Sequence, residues 1–167
     1  VVTNTLMGDC WTAVETKNHF GMAMTTPVDT APRMLDRDYC GMPLKELATA
    51  AKSWNLTEAG FGMAAINAFY NTPARLAQMG AYEPFDNYCT DGVDLKDKRI
   101  GVIGHLNMPS SVSEQAREVL ILERNPRPGD YPDSACDLLL PRCDVVIMTA
   151  STLVNKTLPH LLELCKN

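Results

Sequence analysis

KRIGVIGHL, residues 98–106, is the stretch that decides the fold of this chain. A basic pair leads into a short apolar run that stops at Gly104, a pattern typical of a buried strand followed by a tight turn. Two further apolar runs occupy residues 119–124 and 144–150, and segments long enough for a helix separate the three runs. This alternation predicts βαβ units and a parallel sheet that is covered on both faces.

The ends of the three runs are where we expect a ligand site, because ligands of such sheets bind beyond the carboxyl ends of the strands. Gly104 ends the first run, and Glu123 lies near the end of the second. The third run leads into a segment rich in hydroxyl and amide groups, which suit a polar ligand when a helix N-terminus follows. Helix capping alone would need only one or two of these groups. The candidate ligand-binding residues of that segment are Thr149, Thr152 and Asn155.

His105 and Glu123 are the titratable candidates at this predicted site. His105 follows the turn glycine, and it is either a structural or a functional histidine. Glu123 lies 19 residues after Gly104, and in dinucleotide-binding folds an acid at about that spacing binds the ribose hydroxyls. The alternative is a strand-end carboxylate in solvent or paired with Arg124. The turn lacks the full G-x-G-x-x-G pattern, so its match to a dinucleotide motif is weak.

The first half of the chain predicts a smaller α+β unit. Residues 3–14 indicate a strand or a strand–turn–strand with Trp11 in a core, and residues 19–25 indicate a strand that pairs with it in a hairpin. Apolar residues at helical spacing then predict a helix that opens at Pro43 and a second helix over residues 55–71.

The second of these helices carries a pair of amides, Asn67 and Asn71, which share one face because they are four residues apart. Such amides need partners on an otherwise apolar helix. They serve either as a cap and a core hydrogen bond, or as contacts to a ligand in a cleft between two domains. We place the domain boundary near Gly92, giving domains at 1–92 and 93–167, and we expect the cleft to be lined by these amides and the strand-end residues named above.

Composition narrows the class of protein. The chain has 167 residues, is 46% hydrophobic and carries a formal charge of −5, which argues against broad binding of nucleic acid. No apolar run approaches the ~20 residues of a membrane span. The six cysteines include no C-x-x-C pair, so we expect reduced thiols in a cytoplasmic protein. No closed ligand set is encoded, and we expect no tightly held structural metal.

Several segments together resemble the family called putative heavy-metal chelation proteins. These segments are residues 41–44, 62–68, 99–104, 122–124 and 144–157. The resemblance covers nearly the whole chain and implies an α/β protein, with an enolase N-terminal-like α+β domain followed by a Rossmann-like parallel-sheet domain. It further implies a ligand site between the two domains and a role in chelating or handling a heavy metal.

Two other classes of function stay open. Residues 137–146 also look like a stretch of the 2-hydroxyacid dehydrogenases, which favours an enzyme that uses NAD or S-adenosylmethionine; the missing glycine pattern and the missing Arg/Glu/His set speak against it. A non-catalytic small-molecule or metal-binding module is the third class. The expected ligand is therefore a heavy-metal ion or a nucleotide-like molecule, and both catalysis and homo-oligomer formation are left open.

The end of the chain carries one more prediction. The third strand should lie beside the first and opposite the second, so that its polar segment reaches the same edge as Gly104. Residues 158–164 then read as a crossover helix, which normally returns the chain to another parallel strand. We therefore expect the natural protein to continue beyond Asn167, as members of the resembled family do.

Overall fold

The computed structural model describes residues 1–26, 28–80 and 92–165. The chain folds as two compact units, Val1–Glu83 and Pro84–Asn167. The predicted boundary near Gly92 borders residues outside the described part of the chain, so it stays a prediction. Within the described residues, no helix combines the length and the apolar character that crossing a membrane would require.

The first unit is an antiparallel sheet covered on one face by helices. Its strands are β1 (Val2–Met7), β2 (Trp11–Thr16) and β3 (Phe20–Met24), in the spatial order β1-β2-β3. Its helices are α1 (Leu44–Ala48), a 3₁₀ turn (Thr49–Lys52), α2 (Leu56–Tyr70) and α3 (Pro73–Gln78). The structure confirms the predicted strand–turn–strand and hairpin. It also confirms the predicted helices after Pro43 and over residues 55–71.

Strand alternation decides which side chains of this sheet are buried. Thr12 and Val14 of β2 point to the helices and are 1% and 0% exposed. Trp11 precedes them by one and three positions, so it points to the opposite face and is 52% exposed. The prediction of Trp11 in a core is therefore wrong, because an aromatic residue at the start of a strand carries no signal for the face on which it lies.

Helix α2 approaches its neighbours closely at glycine positions. A Cβ atom at Gly62 would lie 2.0 Å from the backbone N of Ala51, and one at Gly21 of β3 would lie 2.0 Å from the backbone N of Ala68. Asn55 caps the helix by accepting a hydrogen bond from the N–H of Glu58 at 3.0 Å. The carboxylate of Glu58 is fully buried and accepts the backbone N–H groups of Met34 and Leu35, which ties the preceding loop to the helix.

The second unit contains a parallel sheet in the order β6-β5-β4-β7. The strands are β4 (Arg99–Ile103), β5 (Glu118–Glu123), β6 (Tyr131–Pro132) and β7 (Val145–Met148). The helices are α4 (Ser110–Gln115), α5 (Cys136–Leu139), α6 (Ser151–Val154) and α7 (Leu158–Leu164), with 3₁₀ turns at Asp133–Ala135 and Leu140–Arg142. The predicted order of second, first and third strand is confirmed. Separate apolar clusters pack on the sheet around Leu122 and Ile100.

Two local details of this unit involve proline. Tyr131–Pro132, in the proline-rich segment after β5, pairs in parallel with β5; proline is tolerated there because the strand lies at the edge of the sheet. Helix α4 begins at Ser110, and Pro109 occupies its cap position without a side-chain hydrogen bond.

Candidate functional site

The turn after β4 brings the ends of three strands together. Gly104 has φ +96°, a left-handed conformation that favours glycine. A Cβ atom at this position would lie 3.1 Å from Cγ2 of Thr149 and 3.8 Å from Oε2 of Glu123. The backbone N–H of Gly104 also donates to the carbonyl of Leu122 at 2.9 Å. Gly104, Glu123 and Thr149 therefore meet at one edge of the sheet.

Backbone amides hold the carboxylate of Glu123 in place. Its Oε1 accepts the N–H groups of Arg124 at 2.7 Å and Asn125 at 3.1 Å, and its Oε2 accepts the N–H of His105 at 3.1 Å. Each carboxylate oxygen accepts about two hydrogen bonds. Oε1 is thus fully used, and Oε2 keeps capacity for one further partner.

His105 is oriented by a carboxylate that sequence reasoning did not single out. Its Nε2 donates to Oδ2 of Asp130 at 2.6 Å, and the same oxygen accepts the backbone N–H of Arg127 at 2.7 Å. The hydrogen bond from His105, followed by that from Arg127, holds the pKa of Asp130 below its ordinary value. The side chains are 24% and 9% exposed, so the pair is largely shielded from solvent.

The second ring nitrogen of His105 faces Glu123. Nδ1 lies 3.8 Å from Oε2 of Glu123, which is too long for a hydrogen bond. In the neutral ring that has its proton on Nε2, this nitrogen donates the hydrogen bond to Asp130, and Nδ1 carries a lone pair. A nitrogen lone pair and a carboxylate oxygen with spare capacity then lie 3.8 Å apart, and groups of this kind accept a proton or bind a cation.

The polar segment after β7 is largely engaged with itself. The hydroxyl of Thr152 donates to the carbonyl of Thr149 at 2.7 Å, and Thr152 is 2% exposed. Oδ1 of Asn155 accepts both the N–H and the hydroxyl of Thr157, at 3.1 and 2.7 Å. These contacts are those of local turns and capping. A role for Thr149, Thr152 and Asn155 in ligand binding stays a prediction.

The amide pair of α2 belongs to the first unit. Nδ2 of Asn67 donates to the carbonyl of Met22 in β3 at 2.7 Å, which satisfies an acceptor on that edge strand. Asn71 follows the last residue of α2 as its C-cap. Both positions match the capping and core alternative. Ligand contact by Asn67 and Asn71 stays a prediction.

Asp130 could not be found from sequence because it lies 25 residues from His105, and only the folded turn brings the two side chains together.

The second unit also contains three thiols in or beside one apolar cluster. Burial raises the pKa of Cys136 to about 11, and it also raises the pKa of Cys143 and of Cys165. Among the described residues, no group of three or more His, Cys, Asp or Glu side chains could hold a metal ion.

Comparison with known proteins gives a consistent family. Residues 1–70 match the model DUF4213 and residues 91–167 match the model DUF364, both described as "Putative heavy-metal chelation". A crystal structure of a DUF364 protein of unknown function from Desulfitobacterium hafniense is 36% identical, with a TM-score of 0.85 over 100% of this chain and 68% of that chain.

A second solved structure agrees with the first. A DUF364 protein of unknown function from Pyrococcus horikoshii is 30% identical, with a TM-score of 0.75 over 99% of this chain and 68% of that chain. The curated proteins include no match to this chain.

Proposed function

Because this chain belongs to the DUF364 family, described as "Putative heavy-metal chelation", we propose that it binds a metal ion through Nδ1 of His105 and the carboxylate of Glu123. The proposal locates the metal at the carboxyl edge of the parallel sheet of the second unit. Two side-chain donors leave further coordination positions for water or for a small chelating molecule that carries the ion.

The observation that carries the proposal is the gap of 3.8 Å between Nδ1 of His105 and Oε2 of Glu123. Zinc binds imidazole nitrogen and carboxylate oxygen at about 2.0–2.2 Å, so one ion fits between these two atoms. Asp130 holds the other ring nitrogen at 2.6 Å. This is the arrangement by which metal-binding histidines are usually oriented and made more basic.

The donor types indicate which ions fit. Imidazole and carboxylate suit zinc, nickel, cobalt and copper(II), whereas softer ions prefer thiolates. Burial raises the pKa values of the second unit's Cys136, Cys143 and Cys165, so these groups are protonated at neutral pH. A protonated thiol is a poor ligand. We therefore infer a site for borderline divalent ions with nitrogen and oxygen ligands.

The nucleotide alternative has less support from the same atoms. A ribose-binding acid presents its oxygens to two adjacent hydroxyls. Oε1 of Glu123 already accepts two backbone N–H groups. Only Oε2 has room for a partner, and it faces the imidazole.

Calorimetric titration with zinc, nickel and cobalt in a non-chelating buffer tests the proposal. We expect about one equivalent to bind, and cobalt should develop visible absorption bands on binding. Affinity should fall as the pH is lowered, because protons compete with the metal for Nδ1. His105→Ala should abolish this binding, and Asp130→Asn should weaken it by about 10–100-fold.

His160 offers a matched control in the same unit. It pairs with Asp137 at 3.0 Å, and both side chains are 60% exposed. His160→Ala therefore removes a histidine with a carboxylate partner but leaves the proposed site intact. The proposal fails if His105→Ala and His160→Ala bind the three ions equally well, or if the parent protein binds none of them.

A further inference from the structure

The core of the first unit contains a buried polar group without a partner. Tyr39 is 7% exposed and belongs to the apolar core cluster of this unit. Its ring packs against Phe61 of α2, with the ring centroids 5.2 Å apart and the planes tilted by 59°. Its hydroxyl has no contact with solvent, and among the residues that the structure describes it has no hydrogen-bond partner. Such groups are rare, because folding removes their hydrogen bonds to water without replacing them.

Glu58 is the charged residue that acts most strongly on this hydroxyl. Burial raises the pKa of Tyr39, and the negative charge of Glu58 raises it further. Smaller effects come from Arg33 and Asp29, which form an exposed ion pair. Glu58 itself is 0% exposed. The phenol and the carboxylate therefore belong to one buried region, but their oxygens lie beyond hydrogen-bond distance of each other.

The carboxylate of Glu58 has capacity for an additional donor. Its Oε1 accepts the N–H of Leu35 at 2.8 Å, and its Oε2 accepts the N–H of Met34 at 2.7 Å. Each carboxylate oxygen accepts about two hydrogen bonds, so each can accept one more. Tyr39 has a proton to donate and Glu58 has lone pairs to receive one. A molecule that both accepts and donates a hydrogen bond can join the two groups.

We propose that a buried water molecule joins Tyr39 to Glu58. The water accepts the hydrogen bond of the phenol and donates one to a carboxylate oxygen of Glu58, so the phenol gains the partner that the protein does not supply. Globular proteins contain about one buried water per 27 residues, and these waters bond to buried polar groups that would otherwise be unpaired. Because Glu58 also holds the N–H groups of Met34 and Leu35, the water fixes both ends of the segment 34–39 to α2.

Tyr39→Phe tests the inference, because it removes the hydroxyl and keeps the ring against Phe61. The variant takes one partner from the water, so the urea midpoint, followed by tryptophan fluorescence, should fall by roughly 0.3–1 M. A hydroxyl without any partner would give the opposite result, since removing it would leave the midpoint unchanged or raise it. Tyr70→Phe is the matched control: Tyr70 is the last residue of α2 and is 50% exposed, so its midpoint should equal that of the parent protein.

A crystal structure at high resolution identifies the bridging molecule directly. We expect density for one water within hydrogen-bond distance of both Oη of Tyr39 and a carboxylate oxygen of Glu58. The inference is overturned if the hydroxyl contacts only carbon atoms, if it donates directly to Glu58, or if an ion occupies the position of the water. A Tyr39→Phe variant that unfolds at the same urea concentration as the parent protein, or at a higher one, would also overturn it.

Discussion

Replacing Gly62 by alanine is the sharpest test of how the first unit is packed. The added Cβ would lie 2.0 Å from the backbone N of Ala51 and 2.5 Å from the carbonyl carbon of Ala50. Carbon atoms pack at about 3.5–4.0 Å, so α2 and the preceding 3₁₀ turn would have to separate by roughly 1.5 Å. The atoms in the way are backbone atoms, which cannot rotate aside as a flexible side chain would.

The magnitude follows from two opposing contributions. Overpacking a core costs about 1–3 kcal/mol, and a clash between backbones belongs at the upper end. Alanine is preferred over glycine inside a helix by about 1 kcal/mol, so Gly62→Ala should destabilise by about 2 kcal/mol. At Gly60 the nearest atom to an added Cβ is 3.8 Å away. Gly60→Ala should therefore stabilise by up to about 1 kcal/mol.

Urea unfolding followed by tryptophan fluorescence measures this difference. Trp11 and Trp54 both belong to the first unit, so the signal reports on the unit that contains the substitution. A difference of about 3 kcal/mol separates the two midpoints by about 1–3 M urea. The packing argument is refuted if Gly62→Ala unfolds at the same urea concentration as Gly60→Ala, or at a higher one.

Three further predictions concern single groups. Gly104→Ala should lower the thermal midpoint more than Gly129→Ala, because both positions have positive φ but only Gly104 has a close neighbour; the strain alone costs about 1–2 kcal/mol. Glu58→Gln should cost about 1–3 kcal/mol in urea unfolding, because one buried backbone N–H loses its acceptor. Asp130→Asn should lower the thermal midpoint at neutral pH, and this difference from the parent protein should vanish in acid. Folding lowers the pKa of Asp130, so the carboxylate stabilises the fold above the ordinary carboxylate pKa, and this stabilisation is lost as the pH falls through the pKa of the folded state. Asp137→Asn, in the exposed His–Asp pair, should have little effect at either pH.

The parallel sheet could be predicted because its signal is local and strong. A fully buried strand must be apolar along its length, and a turn that needs positive φ favours glycine. Gly104 therefore marks the end of β4 in the sequence as clearly as in the structure. The strand order followed from requiring the three strand ends to share one edge.

Other features depend on contacts that no local pattern encodes. Tyr131–Pro132 becomes a strand only because β5 offers it an edge. Strand propensity alone does not indicate the face on which Trp11 lies, because it reflects packing against neighbours that the local sequence does not specify; Trp11 is 52% exposed. Asp130 becomes important only when its turn brings it within 2.6 Å of a histidine 25 residues away.

Glu123 lies at a strand-end position for which a ribose and a metal ion are the alternative ligands. Its place at the end of β5 is the one that dinucleotide-binding proteins use for ribose. In this chain the left-handed turn at Gly104 carries the N–H of His105 to Oε2, and the chain after β5 turns two further N–H groups to Oε1. A carboxylate that already accepts three backbone N–H groups has little capacity for two ribose hydroxyls. Its Oε2 can still accept one further partner, and this oxygen lies 3.8 Å from Nδ1 of His105. If this reasoning holds, Glu123→Gln should impair metal binding strongly because it removes the negative charge, and adenosine-containing cofactors should leave the melting temperature of the parent protein unchanged. If such a cofactor raises the melting temperature of the parent protein but not that of Glu123→Gln, then Glu123 binds the ribose and the metal proposal for this residue is wrong.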